Sequence, residues 1–244
     1  MIVTFCWDDG AVEDVKLMEL QKEYSLPGIF FVPTSNCEGR DTLSPKTIEE
    51  SASDLISFGG HTEHHVYLTK IPINNVRQEI VSNKDYLEGI IGKSIPHFCL
   101  PGGKYNRDIL DVVYKEFQTA RTADTMCFSS EKTLIKPTFH MYMRGKLSLI
   151  YNGMRNNSAD EMMMMFRNYR MNYWDIINML LDHESTNKEA EIVIWGHSWE
   201  IEQYGLWNEV ERVFKHIAND YFNDCVTYDS FCKSVNNKQH RENQ

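Results

Sequence analysis

The sequence predicts an α/β domain whose strands run parallel and close, or nearly close, into a barrel. Three observations carry that prediction. Short apolar, β-prone runs alternate with stretches of helical spacing, the pattern of a parallel sheet with crossover helices. About seven such units follow one another, which favours a closing sheet over an open one. No Pro-, Gly- or Ser-rich linker interrupts them, so residues 1–235 read as one domain and 236–244 as a polar C-terminal tail, expected to fray.

The elements follow in order. "IVTFCW" (2–7) is a strand and residues 11–24 carry apolar side chains at helical spacing. "GIFFVPT" is a second strand. "SPKTIEESASDLISFG" (44–59) opens with a Ser cap and Pro at the first helical position and stops at Gly, so it reads as a helix. "GGHTEHHVYL" precedes a long helical stretch over 73–91. "HFCLPGG" is a strand ending in a Pro-Gly turn, "GKYN" a turn and helix cap, "RDILDVVYKEF" a helix, and "QTARTAD" and "KPTFHMY" short strands. Residues 158–182, with the run "MMMM", read as one long core or interface helix. "EIVIWGHSW" is a buried strand, "GLWNEVERVFKHIAND" a helix, and "CVTYDSFCK" a last strand entering a helix.

Composition excludes some functions. Hydrophobic residues make up 42%, ordinary for a globular chain, and the net charge is −10 with no stretch that concentrates Lys and Arg. A nucleic-acid partner is therefore not expected. No apolar run approaches the roughly 18 residues that a membrane span needs. "MIVTFCW" lacks the basic start of a signal peptide, and the six cysteines form no CxxC pair. Both features point to reduced thiols and a cytoplasmic protein.

Polar residues gather where strands end, the active-site side of a parallel barrel. Asp8 and Asp9 end the first strand; His61, His64 and His65 follow a later unit; "CLPGG", His140 and His197 close others. Two adjacent carboxylates repel unless a positive charge compensates them. His61 and His65, four apart, can turn two imidazoles to one point, and with one Asp they make a three-ligand site with open positions. A divalent cation would be the missing charge. Each motif alone can be a plain turn or a pair of surface histidines; together at strand ends they point to a metal.

"TFCWDDG" (4–10), "HTEHH" (61–65), "CLPGG" (99–103) and "IWGHS" (194–198) resemble, in order, the motifs of the polysaccharide deacetylase family, the NodB-homology carbohydrate esterases. Those motifs are a strand ending "TFDDG", then "H(S/T)xxH", "RxPxG" and a late "LxH". The resemblance implies a distorted (β/α)7-8 barrel. It implies Asp8 as general base, Asp9, His61 and His65 as ligands of Zn²⁺ or another divalent ion such as Co²⁺, and His197 as general acid. It also implies an oxyanion donor at the Gly102 N–H after Pro101. The expected activity is metal-dependent removal of the acyl group from an N-acylated amino sugar, free or in nucleotide- or lipid-linked form.

The chain departs from the family at Cys99, which stands where the family has Arg. Arg121, at the end of the next strand, is expected to supply the guanidinium, with an ordinary surface arginine as the alternative. Trp7 would line the pocket or sit in the core, and His140 would contact substrate or His197 or be a buried structural histidine. Glu63 and His64 are expected to point away from the metal, and Glu200 to be a solvated carboxylate, with orienting a neighbour as the alternative. Three other activities stay open: a metal-dependent hydrolase of a small non-sugar amide, an Fe(II) oxygenase using the same ligand types, and a non-catalytic sugar-binding relative. The sequence does not fix the oligomeric state.

Overall fold

The computed structural model describes residues 1–242, with side chains to Lys238. Eight strands form one sheet: β1 (Ile2–Trp7), β2 (Gly28–Val32), β3 (Ile56–Gly60), β4 (His97–Cys99), β5 (Thr119–Arg121), β6 (Leu134–Ile135), β7 (Phe139–His140) and β8 (Glu191–Gly196). Every pairing is parallel, in the order β6-β5-β4-β3-β2-β1-β8-β7. The chain thus builds from the central β1 outwards, then returns to β1 through β8. This is the expected barrel in distorted form, open between its edge strands β6 and β7.

Among the described residues, ten α-helices connect and cover the strands: α1 (Asp14–Glu23), α2 (Pro45–Ser51), α3 (Ile73–Ile91), α4 (Arg107–Glu116), α5 (Lys146–Arg155), α6 (Ala159–Arg167), α7 (Tyr173–Glu184), α8 (Ser198–Gln203), α9 (Trp207–Asp220) and α10 (Tyr228–Glu242). Local chemistry sets their ends. Ser44 and Asn106 accept from the backbone N–H of Thr47 and Ile109, capping α2 and α4. Gly92, at φ 69°, ends α3 in the left-handed conformation.

Side chains alternate along the strands and divide the core in two. Val3, Phe5, Trp7, Phe30, Phe98 and Ile194 face the helix layer. Cys6, Phe31, Cys99, Ile135 and Trp195 face the other way, where Tyr228, Phe231 and Val235 of α10 pack onto them. Both faces of the central strands are covered, which explains their near-continuous apolar runs.

Several expected boundaries are corrected. The predicted helix over 44–59 ends at Ser51, and Ile56–Gly60 is the strand β3. The helical composition of "ESASDL" masks a five-residue strand whose two terminal glycines lie close under neighbours: a Cβ on Gly59 would meet Phe31. The long helix over 158–182 is broken into α6 and α7 at Asn168–Asn172, where Asn172 caps α7. No strand forms at 225–227; a single bridge pairs Cys225 with Val3 before α10 begins. Helix α10 takes in residues 236–242 of the expected tail, while 243–244 lie outside the described residues.

Candidate metal centre and active site

The register of β1 on β8 sets Trp7 beside Gly196, so Asp8 and His197 leave the sheet at one level. The Asp8 N–H donates to Gly196 O at 2.9 Å, which ties the two strand ends together. His61 follows Gly60 at the end of β3, and its Nδ1 lies 2.8 Å from Cys99 O of β4. Asp8, Asp9, His61, His65 and His197 therefore line one cavity of about 400 Å³, with Gly102 at its rim.

Asp9 Oδ1 is the meeting point. His65 Nε2 lies 2.9 Å and His61 Nε2 3.4 Å from it, and the three donor atoms fall within 4.8 Å of one another. Ligand atoms about 2.0–2.2 Å from a tetrahedral zinc stand roughly 3.3 Å apart, so the spacing fits a divalent ion. The tautomer fits too. Nδ1–H of His61 donates to Cys99 O, which turns the Nε2 lone pair to Asp9. All three residues are nearly buried, at 1–7% exposure. Burial opposes a charged Asp9, yet His197, His61 and His65 hold its carboxyl well below the usual range. An anionic oxygen between two imidazoles is a donor set for a cation, and Asp9, His61 and His65 would hold it.

The backbone is bent to make this cluster. Asp9, Thr62 and His65 all lie at positive φ, 73°, 70° and 55°. Such conformations cost on the order of 1–3 kcal/mol each in non-glycine residues and persist where surrounding contacts impose them. Asn83, buried on α3, supplies one such contact. Its Oδ1 accepts from His61 N–H at 2.8 Å and its Nδ2 donates to Val32 O at 3.0 Å. Trp199 supplies another, its Nε1–H donating to Asp9 Oδ2 at 2.8 Å. Neither was singled out from the sequence. A polar Asn within the apolar face of α3 was the only readable signal.

Asp8 has a different environment. Its Oδ2 accepts from the Arg121 guanidinium, while Oδ1 is buried and has no hydrogen-bond partner. Arg121 is fully buried and also donates to Thr122 O at 2.7 Å and to Cys99 Sγ at 2.8 Å. Its guanidinium stands about 5 Å from the rings of Phe31 and Trp195. Cys99 and Arg121 are register partners across β4 and β5. The guanidinium thus reaches Asp8 from one strand further along the sheet than the resembling motif would place it. Arg121 is not a surface arginine. The Cys99 thiol is pushed up by burial and stays protonated, no nucleophile but a filler beside the ion pair.

His197 faces Asp9 at 4.0 Å through Nε2, and its Nδ1 lies 2.7 Å from Glu200 Oε2. Burial disfavours its charge, but Asp9 and Glu200 outweigh that and push its pKa up to about 9. Glu200 is not a solvated carboxylate. It also meets His140 Nε2 at 3.1 Å, and although burial opposes its charge, its two histidine partners bring its pKa down to about 2. His140 is fully buried and contacts His197 edge to face; Arg144 Nε–H donates to its Nδ1 at 3.0 Å. Burial lowers its pKa to about 4, so it is neutral.

Two expected residues stand elsewhere or play a lesser part. Trp7 is fully buried on the helix side, its Nε1–H donating to Gln21 and its ring against Phe214, so it does not line the cavity. The period of two along β1 turns it away from the mouth while Asp8 turns inward. Pro101 is buried and starts a short turn that presents Gly102 at φ 59°. The positive φ favours glycine there, and a Cβ would meet the exposed Tyr67 ring at 2.6 Å. His64 points out to Glu79, as expected of the alternate position. Asp14, on α1, is a further buried acid behind the cluster, its carboxyl pushed well up by burial.

Residues 1–117 match the polysaccharide deacetylase family. The chain superposes on solved structures at low identity, over 55–99% of its length in the three that follow. A variant of the peptidoglycan deacetylase PdaC from Bacillus subtilis is 13% identical, with 99% of this chain and 94% of that one covered at a TM-score of 0.60. The family 4 carbohydrate esterase from Streptomyces lividans, in complex with acetate, is 15% identical, with 89% and 88% covered at 0.56. The Streptococcus pyogenes deacetylase PplD, also with acetate, is 20% identical over 55% of this chain and 62% of its own length, at 0.51. At these identities the likeness shows the fold. Curated protein sequences give no match.

Proposed function

From the polysaccharide deacetylase likeness of residues 1–117, we propose that the chain is a metal-dependent N-deacetylase acting on an N-acylated amino sugar. One observation supports this above the rest: Asp8, with an unpartnered Oδ1, and His197, with a raised pKa, flank the Asp9–His61–His65 cluster in one cavity.

A divalent ion held by Asp9, His61 and His65 would supply a Lewis acid and make water in the cavity more acidic. The chain's own residues divide the proton work. Arg121 engages Asp8 Oδ2 and leaves Oδ1 to take the proton from the water that attacks the amide carbonyl. The Gly102 N–H, at the rim, would face the oxygen that becomes negative; one such donor is typically worth about 2.7–4 kcal/mol. His197, its Nδ1 held 2.7 Å from Glu200 Oε2, would give a proton to the amine as the C–N bond breaks. An amine without that proton is a very poor leaving group. The products are a carboxylate and a free amino sugar.

The test is acetate release from N-acetylated amino sugars by metal-loaded protein beside Asp8→Asn, which keeps size and loses the base. Release by the wild type and a fall of at least about a hundredfold in the variant support the reading. Sugar binding with no acetate from either would favour a non-catalytic sugar-binding protein. Turnover of small linear or cyclic amides but not sugars would favour the hydrolase of non-sugar amides.

A further inference from the structure

A sugar whose N-acyl group sits over Asp9, His61 and His65 must extend the rest of its body along the surface. A second groove, of about 580 Å³, adjoins the cavity and shares Gly102, Ala123 and Arg144 with it. The two are continuous along that border. The groove's charge is opposite to that of the molecule. The chain carries a net −10, yet Lys104, Arg144 and Arg155 line the groove against one carboxylate, Asp124.

The pairing is incomplete. Arg155 lies 3.6 Å from Asp124. Among the described residues, no carboxylate lies within 4 Å of Lys104 or Arg144. Arg144 spends its Nε–H on the neutral His140 and keeps its full charge at the border. These cations come from three separate segments: the turn after β4, the loop after β7, and the end of α5. That is why no basic stretch shows in the sequence. Clustered positive charge in an acidic protein offsets the long-range repulsion of an anion and focuses it locally. Guanidinium forks match phosphate and carboxylate oxygens.

We propose that this groove is a subsite for an anionic group, phosphate or carboxylate, carried by the N-acylated sugar, with Lys104, Arg144 and Arg155 setting specificity. The role as a substrate subsite rests on the deacetylase reading; the binding of the anion does not.

The experiment measures calorimetric binding of three probes to metal-loaded protein. They are N-acetylglucosamine, its 1-phosphate, and a disaccharide of N-acetylglucosamine with glucuronate. Wild type is compared with Lys104→Glu/Arg155→Glu. We expect one charged probe to bind at least about tenfold tighter than the neutral sugar at low salt, with the advantage shrinking as salt is raised. Which probe gains identifies phosphate or carboxylate as the source. The double variant should bring the advantage below about twofold. Equal binding of all three probes by the wild type overturns the proposal. So does an advantage that survives in the double variant, since Lys104 and Arg155 then do not hold the anion. Acetate release is read separately from the same probes. Anion preference without any acetate removes the deacetylase reading and leaves the groove; acetate without anion preference does the reverse.

Discussion

Arg121→Met should be among the most damaging substitutions in the chain. The guanidinium is fully buried and its hydrogen bonds go to Asp8, Cys99 and Thr122. Methionine fills much of the volume but leaves the Asp8 carboxylate buried without a cation. Removing one partner of a buried ion pair costs roughly 3–5 kcal/mol. Against a typical total of about 5–15 kcal/mol, that would leave the protein marginal. The base would also lose the group that fixes its Oδ2, so acetate release should fall with stability. The register adds a sharper arm. Cys99 and Arg121 are directly paired, and adjacent strands are about 4.8 Å apart, so Cys99→Arg/Arg121→Cys moves the guanidinium sideways by a distance an arginine side chain can span. Cys99 Sγ already lies 3.5 Å from Asp8 Oδ2, so an arginine there starts from the right wall. Urea unfolding of the wild type and the two variants, with acetate release, provides the assay. The swap should recover at least about half of the stability lost in Arg121→Met. A loss below about 1 kcal/mol in Arg121→Met, or a swap no better than the single variant, would refute the reasoning.

Three further outcomes are expected. Trp199→Phe removes the N–H on Asp9 Oδ2, and isothermal titration with zinc should show affinity about 10–100-fold weaker; unchanged affinity would remove Trp199 from the site. Gly102→Ala forces a Cβ at positive φ against Tyr67, so acetate release should drop at least about tenfold, while an unchanged rate would show that the turn accepts a Cβ and that its glycine is not what sets the rate. His97 is held neutral in the fold, burial lowering its pKa from 6.5 to about 4, whereas the unfolded chain protonates near the ordinary value. The unfolded state therefore binds more protons across that window, and stability falls as pH drops through it. Between pH 7 and pH 4.5 the unfolding free energy of wild type should fall by about 2–3 kcal/mol more than that of His97→Asn; equal losses would contradict the assignment.

The parallel architecture was legible because strand and helix periodicities alternate cleanly, and the gathering of Asp9, His61 and His65 because these residues close short motifs at strand ends. The details that escaped are tertiary. β3 lies hidden in "DLISFGG", where two glycines are demanded by the close approach of Phe31 and Phe117 and not by a turn. Trp7 and Cys6 are neighbours in sequence but belong to opposite faces, and only the burial of β1 on both sides decides which face is which. Arg121 was legible as a candidate, but its partnership with Asp8 depends on strand pairing. Glu200 looked like a surface carboxylate because nothing local announces that His140, from β7, comes to meet it. The left-handed backbone at Asp9, Thr62 and His65 leaves no mark in residue types that usually avoid it.

The central claim is that Asp9, His61 and His65 hold a catalytic divalent ion. Elemental analysis of purified wild type beside His65→Ala, both after incubation with excess zinc and desalting, tests it most directly. The account predicts one equivalent of a divalent metal in the wild type and its loss in the variant, with acetate release lost in parallel. No bound metal in the wild type, or equal metal in both, would contradict it.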